Sequence, residues 1–157
     1  MEQQDRLARE QFVFAYLFVI ANKLQVIGDR LLDGFTMKQW LLTAAVAHCG
    51  AIPPKLSEVA ELMGSSHQNV KQIALKLEEK GFLRLARDPR DSRALRLILT
   101  EKSNLYWENR QTEDERFLRE LFAGFSPAEI NALSDGIDKL HQKVQELLIR
   151  GDKKDEV

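Results

Sequence analysis

Five arginines, Arg84, Arg87, Arg90, Arg93 and Arg96, fall within thirteen residues near the middle of the chain. Guanidinium groups at this density bind phosphate, and such binding weakens as salt rises. Just upstream lies a run with different chemistry. Gln68, Asn69, Gln72 and Lys76 recur at helical spacing, with His67 and Lys71 on the flanks and Ser65 and Ser66 ahead of them. Amides pair with base edges in a major groove, and lysine reaches guanine or phosphate. A polar helical face is also what most surface helices present, so this run alone does not specify a nucleic-acid reader. Glu78 and Glu79 close it, which leaves its N-terminal half as the part able to enter a groove.

Charge distribution separates the two readings. Ser65 to Thr100 holds eight basic and four acidic residues, a net +4, whereas the rest of the chain carries −5. The whole molecule is near neutral at −1, so it is not a polycation that coats nucleic acid indiscriminately. The basic charge is focused on one segment. A solubilising surface hairpin would also be arginine-rich, but it would not need an amide-bearing helix beside it.

Other chemistries find little support. Neither a glycine-rich phosphate loop nor a nucleophile elbow occurs, and the acidic residues fall on helical surfaces, so no catalytic residues are assigned and the chain is not read as an enzyme. His48, His67 and His141 share no ligand spacing, and there is one cysteine, so neither a metal site nor a cofactor is expected. Cys49 follows Ala44, Ala45, Val46 and Ala47 and is read as a small buried residue rather than a redox switch. The N-terminus carries Glu2, Asp5 and Glu10 ahead of its apolar run and lacks a small-residue cleavage site, so a secretory signal is not expected. The run Phe12 to Ala21 is ten residues, too short to span a bilayer. Such a run is most simply a helix buried on most sides, in a cytoplasmic protein without a membrane partner.

The elements that must position this chemistry can be read in order. Residues 5–32 form a helix, with Leu17, Ile20, Leu24, Ile27 and Leu31 at spacings of three and four. Phe12, Phe14, Tyr16 and Phe18 widen its apolar face, which suits either a core helix or one packed also on a second subunit. Asp33-Gly34 ends it. Thr36 with Gln39 makes a capping box for a helix reaching Cys49-Gly50. A loop with Pro53-Pro54 follows. Ser57 opens a short helix with Val59, Leu62 and Met63 inward, stopped by Gly64. Ser65 or Ser66 caps the next helix, whose inner face is Val70, Ile73, Ala74 and Leu77. After Gly81, Leu83 and Leu85 alternate with polar residues, as do Leu95, Leu97 and Leu99, which predicts two strands around the turn-rich tip Asp88 to Ser92. Thr100 caps a helix to about Ala123, with a polar middle from Glu108 to Arg116 that crosses solvent. Ser126-Pro127-Ala128-Glu129 starts the last helix. It carries Ile130, Leu133, Ile137, Leu140, Val144 and Leu147 as a narrow heptad-type seam. Asp152 to Val157 is the one stretch whose composition suits disorder.

A helix pair followed directly by a hairpin is the order of a winged helix-turn-helix. The fold class is therefore mainly α with a small β-hairpin wing, in one domain over 1–157: about 36–100 for the winged helix, with flanking helices at 5–32 and 101–150. Leu56 to Thr100 resembles the MarR (multiple antibiotic resistance regulator) family of winged-helix repressors. The pieces are Leu56-Ser57-Glu58-Val59-Ala60, Met63-Gly64-Ser65-Ser66, Leu77-Glu78-Glu79-Lys80-Gly81-Phe82-Leu83, and Asp88-Pro89-Arg90-Asp91-Ser92-Arg93 leading to Leu99-Thr100. The spacing of Asp88, Arg90 and Arg93 is the most specific of them.

The resemblance implies a cytoplasmic homodimer made by the first and last helices, with two readers on a pseudo-palindromic duplex DNA. By position, Ser66 to Lys76 would read the major groove, Arg90 and Arg93 would serve the wing with Arg87 nearby, and Asp88 would brace the tip by pairing with an arginine. The subunit contact would include Phe12, Tyr16, Ile137, Leu140, Val144 and Leu147. Tyr16, Trp40 and His48 would line a pocket for a small aromatic or amphipathic effector, although ordinary core or interface roles suit them equally. The implied function is a transcription repressor relieved by that effector. An activator that needs no ligand, or a helical protein–protein adaptor whose winged helix has lost DNA, stand as alternatives, and the arginine-rich hairpin argues against the adaptor. Two departures matter. Ser92 stands where many members have an arginine, and Gln68 and Asn69 stand where many have small hydroxyl residues, so the target sequence does not transfer. Peroxide-sensing relatives carry a cysteine in the first helix, and this chain has none there.

Overall fold

A computed structural model describes residues 2–152. Its described residues form six helices and one hairpin: α1 (Glu2–Leu31), α2 (Met37–His48), α3 (Leu56–Leu62), α4 (His67–Glu79), β1 (Leu83–Arg87), β2 (Leu95–Leu99), α5 (Glu101–Leu121) and α6 (Pro127–Asp152). The mainly α architecture with a β-hairpin wing is as the sequence predicts. The polar tail expected to be disordered lies, from residue 153 on, outside the described residues, and α6 stays helical to Asp152. The chain divides into two compact units between Asn109 and Arg110.

The first unit owes its core to α2, α3, α4 and the hairpin. Leu42, Leu56, Val59, Val70, Leu77, Leu83 and Leu97 are almost wholly buried there, with Leu32, Phe35, Ile73, Ala74 and Phe82. Local signals set the element ends. At Thr36 the capping box forms as read: Gln39 N–H donates to Thr36 Oγ1 at 3.2 Å and Thr36 N–H donates to Gln39 Oε1 at 3.1 Å. Ser66 caps α4, accepting from Asn69 N–H at 3.2 Å. Gly64 and Gly81 take φ of +56° and +74°, a left-handed conformation that lets the chain reverse out of α3 and out of α4. The strands pair antiparallel with Leu83 opposite Leu99 and Leu85 opposite Leu97, so their leucines share one face.

Several expectations change. α3 starts at Leu56 rather than Ser57, because Lys55 is the N-cap and its N–H donates to Glu58 at 2.7 Å. Leu62 is exposed rather than inward, since Val59 and Ala60 already occupy the buried side of so short a helix. Cys49 is exposed as well: it is the C-cap of α2, where the helix has left the core.

The largest change concerns α1. Every side chain from Gln3 to Lys23 is exposed in the single chain, Phe12, Phe14 and Tyr16 included. Of the spaced set, only Leu24 is partly covered; Leu17, Ile20, Ile27 and Leu31 are exposed. The helix is therefore not buried on most sides by its own chain. Within the first unit it packs on α2 near its C-terminus, where Gly28 lies against the Met37 side chain and Met37 N–H donates to Asp29 at 2.6 Å. Taken over Gln3–Leu31 it is also long and apolar enough to cross a membrane, which the ten-residue run alone is not.

The second unit holds the end of α5 and all of α6. Ser126 and Glu129 form the expected start of α6, with Ser126 N–H donating to Glu129 at 2.8 Å. Pro127 occupies the first helical position. In the seam Leu133, Ile137, Leu140, Val144 and Leu147 are all exposed in the single chain.

Candidate nucleic-acid interface

α4 is amphipathic with a clean division. Val70, Ile73, Ala74 and Leu77 are buried, and this anchors the helix rigidly to the core. His67, Gln68, Asn69, Gln72 and Lys76 are exposed, Lys71 is partly covered at the edge, and Ser65 is half-buried just before the cap. The leading end of the helix thus faces solvent rather than its own protein. Its amides are partly oriented: Asn69 Nδ2 donates to Ser65 Oγ at 2.8 Å, which leaves Asn69 Oδ1 as a free acceptor. Glu78, at the far end, accepts from Leu85 N–H at 2.7 Å and so ties α4 to the wing instead of facing a ligand.

The wing tip is organised around Asp88, which is only 4% exposed. Its Oδ1 accepts from the backbone N–H of Arg90 at 2.7 Å and of Asp91 at 3.0 Å. Its Oδ2 accepts from Arg96 Nε, and Arg96 Nη1 reaches the Pro53 carbonyl. The Arg90 N–H is the main influence holding the Asp88 carboxyl below its ordinary pKa; Arg96 and the Asp91 N–H add to it, while burial works the other way. Asp91 in turn accepts from Arg93 N–H at 3.0 Å. These bonds fix the backbone and leave the Arg90 and Arg93 side chains exposed, with no ion pair among the described residues. Arg87 is spent differently: its guanidinium donates to the Ser92 carbonyl at 2.7 Å across the tip.

The predicted reader residues and wing arginines are therefore brought together in one unit, on two elements joined through Gly81. The predicted pocket residues are more scattered. Trp40 is half-buried against the core, Tyr16 is exposed on α1 and stacked on Phe12, and His48 is exposed at the end of α2. Phe12 and Tyr16 on α1, and Ile137, Leu140, Val144 and Leu147 on α6, are each exposed within their own unit.

Two features escaped the sequence reading. Arg96 is the arginine that pairs with Asp88, and it clamps Asp88 to the loop before α3; the resemblance implied such a pair but did not single out Arg96. Leu75 is the second. It is an exposed apolar residue on α4, 37% accessible, three residues after Gln72 and seven after Gln68. Helical periodicity alone could have found it, since those intervals put it on the outward stripe.

No protein-family model matches the chain. Among known proteins it is similar to the uncharacterised HTH-type transcriptional regulator YkoM of Bacillus subtilis, 28% identical over 149 residues that span 95% of each chain. Among solved structures it resembles a MarR/EmrR-family transcriptional regulator from Acinetobacter sp. ADP1, with a TM-score of 0.75 and 22% identity over 87% of this chain and 97% of that one. It also resembles Streptococcus pneumoniae FabT in complex with DNA, with a TM-score of 0.62 and 23% identity over 88% of this chain and 99% of that one. The chain has the winged-helix fold of the MarR-family transcription regulators.

Proposed function

On that fold, we propose that the chain is a sequence-specific, DNA-binding transcription regulator that acts as a homodimer. The observation that carries this reading is the pairing of an exposed amide face on α4 with a wing whose backbone is pinned by Asp88 and whose Arg90 and Arg93 are free. Rigid backbone and unspent guanidinium groups are what phosphate and minor-groove binding need. The HTH-type regulator among its relatives and the DNA complex of a protein with a similar fold support the same reading.

The dimer is supported by what the single chain leaves uncovered. Apolar side chains exposed along α1 and along the α6 seam cost free energy in water unless a partner covers them. A second copy suits α1 better than lipid. Lys23, Asn22 and Gln25 interrupt its apolar stretch, and charged groups within a bilayer are costly. The chain is accordingly read as a cytoplasmic regulator without a membrane partner.

Its action is read as repression of a promoter bearing a palindrome, relieved by a small aromatic or amphipathic effector. Trp40, half-buried between exposed surface and core, is the residue of the proposed pocket that best suits such a ligand. A coupling of about 1–3 kcal/mol between effector and DNA sites would make a useful switch.

The test is retention on duplex DNA as salt is raised. A regulator of this kind loses affinity steeply and linearly on a log–log plot, and competitor DNA of unrelated sequence displaces it from an enriched site only at large excess. Weak retention with no steep salt dependence would overturn the reading in favour of a protein–protein adaptor.

A further inference from the structure

We propose that Leu75 is a specificity-determining residue that reads the 5-methyl group of thymine in each half-site; the assignment rests on the DNA-binding reading above and deepens it. Taken around the helix at 3.6 residues per turn, the buried positions Val70, Ile73, Ala74 and Leu77 define one side of α4. Gln68, Gln72, Leu75 and Glu79 form the stripe opposite them. Leu75 therefore lies on the solvent side of α4, 37% exposed, between an amide one turn before it and a carboxylate one turn after it.

Leu75 is the one apolar side chain among the exposed residues of α4. The core of this unit is complete without it, since the four inward residues already pack α4. In the major groove only thymine presents an apolar group, and leucine is suited to it. Gln72, one turn before Leu75, is suited to the neighbouring adenine edge through its amide. The cations of α4 able to select guanine, Lys71 and Lys76, lie to either side of this stripe rather than on it. The stripe thus favours an A·T step, with Gln72 on one base and Leu75 on the other. The part of α4 able to enter a groove extends past its first half to Leu75, because Glu78 is spent on Leu85 N–H and Glu79 alone presents a carboxylate that repels the phosphate backbone.

The experiment is selection of binding sites by the full-length wild-type chain from a pool of randomised duplex DNA. Affinity is then measured on the enriched duplex and on copies in which each dT is singly replaced by dU, which pairs identically but lacks the methyl. One dT in each half-site should be sensitive. Burial of a single methyl group sets the expected loss at about three- to fivefold per half-site. Leu75→Ala should bind the dT and dU duplexes equally, and Leu75→Met, which keeps an apolar reach, should still prefer dT. Both variants should remain folded, because Leu75 is not among the buried core residues. If no replacement by dU weakens the wild type, or if Leu75→Ala keeps the preference for dT, the role of Leu75 is overturned while the regulator reading stands. If the wild type enriches no sequence at all, the regulator reading falls and the assignment to Leu75 falls with it.

Discussion

The winged helix and the long flanking helices solve the problem of apolar burial in opposite ways. In the first, Leu42, Val59, Val70, Leu77 and Leu97 disappear into a core that the chain supplies by itself. In α1 and α6 comparable side chains, Phe14, Phe18, Ile137 and Leu147 among them, stay in contact with water. The difference teaches where the chain is self-sufficient. The winged helix, with its own core, holds α4 rigidly, whereas α1 and α6 leave apolar faces uncovered by their own chain. The charge pattern follows the same line, with the net +4 on the self-contained reader and wing and the acidic balance elsewhere.

The comparison can be broken at its strongest point first. Leu77→Ala removes a side chain with no exposure and should cost about 2–5 kcal/mol of stability, read by denaturant unfolding. A loss well under 1 kcal/mol would mean that the reader's core is looser than its burial indicates. Leu140→Asp tests the other region. It puts a carboxylate into the exposed α6 seam and, for the proposed homodimer, should weaken self-association by about a hundredfold or more, measured by analytical ultracentrifugation. The winged helix should remain folded, and a variant as dimeric as the wild type would remove α6 from the interface.

Arg93→Ala should leave both stability and the dimer unchanged. It should weaken DNA binding by about tenfold and reduce the steepness of its salt dependence, in line with one lost cationic contact per subunit. Unchanged affinity in a titration would take the wing out of the interface.

The smallest effect concerns Asp88. Because its native pKa is lowered, its charged form adds stability that is complete at neutral pH and is lost as pH falls through the ordinary carboxylate range to the lowered value. Wild type should therefore unfold at a higher temperature than Asp88→Asn at pH 7, and the gap should close toward acid. A gap that widens on acidification would reverse the sign argued for this carboxylate.

Much of the site was legible in the residues because its determinants are local. Thr36 with Gln39, Ser66, Gly64 and Gly81 act within a few residues of themselves, so caps and stops can be read directly. The inward face of α4 follows from helical period, and the two strands from alternation. What escaped depends on residues distant in sequence. Arg96 reads as one more cation of the wing until the fold brings Pro53 and Asp88 to it. Cys49 reads as buried by its small neighbours, yet α2 leaves the core just before it. Leu62 reads as inward by spacing, yet a helix of seven residues has one buried side and that side is already occupied.

The amino-acid order by itself determined the helices, the hairpin, the division of charge and the polar face of the reader, since each rests on periodicity or on a hydrogen bond to a near neighbour. Tertiary structure alone decided which arginines are spent on the scaffold and which are free, and how little of α1 its own chain covers. Burial and ion pairing are properties of groups that meet in space, and the sequence records only the groups.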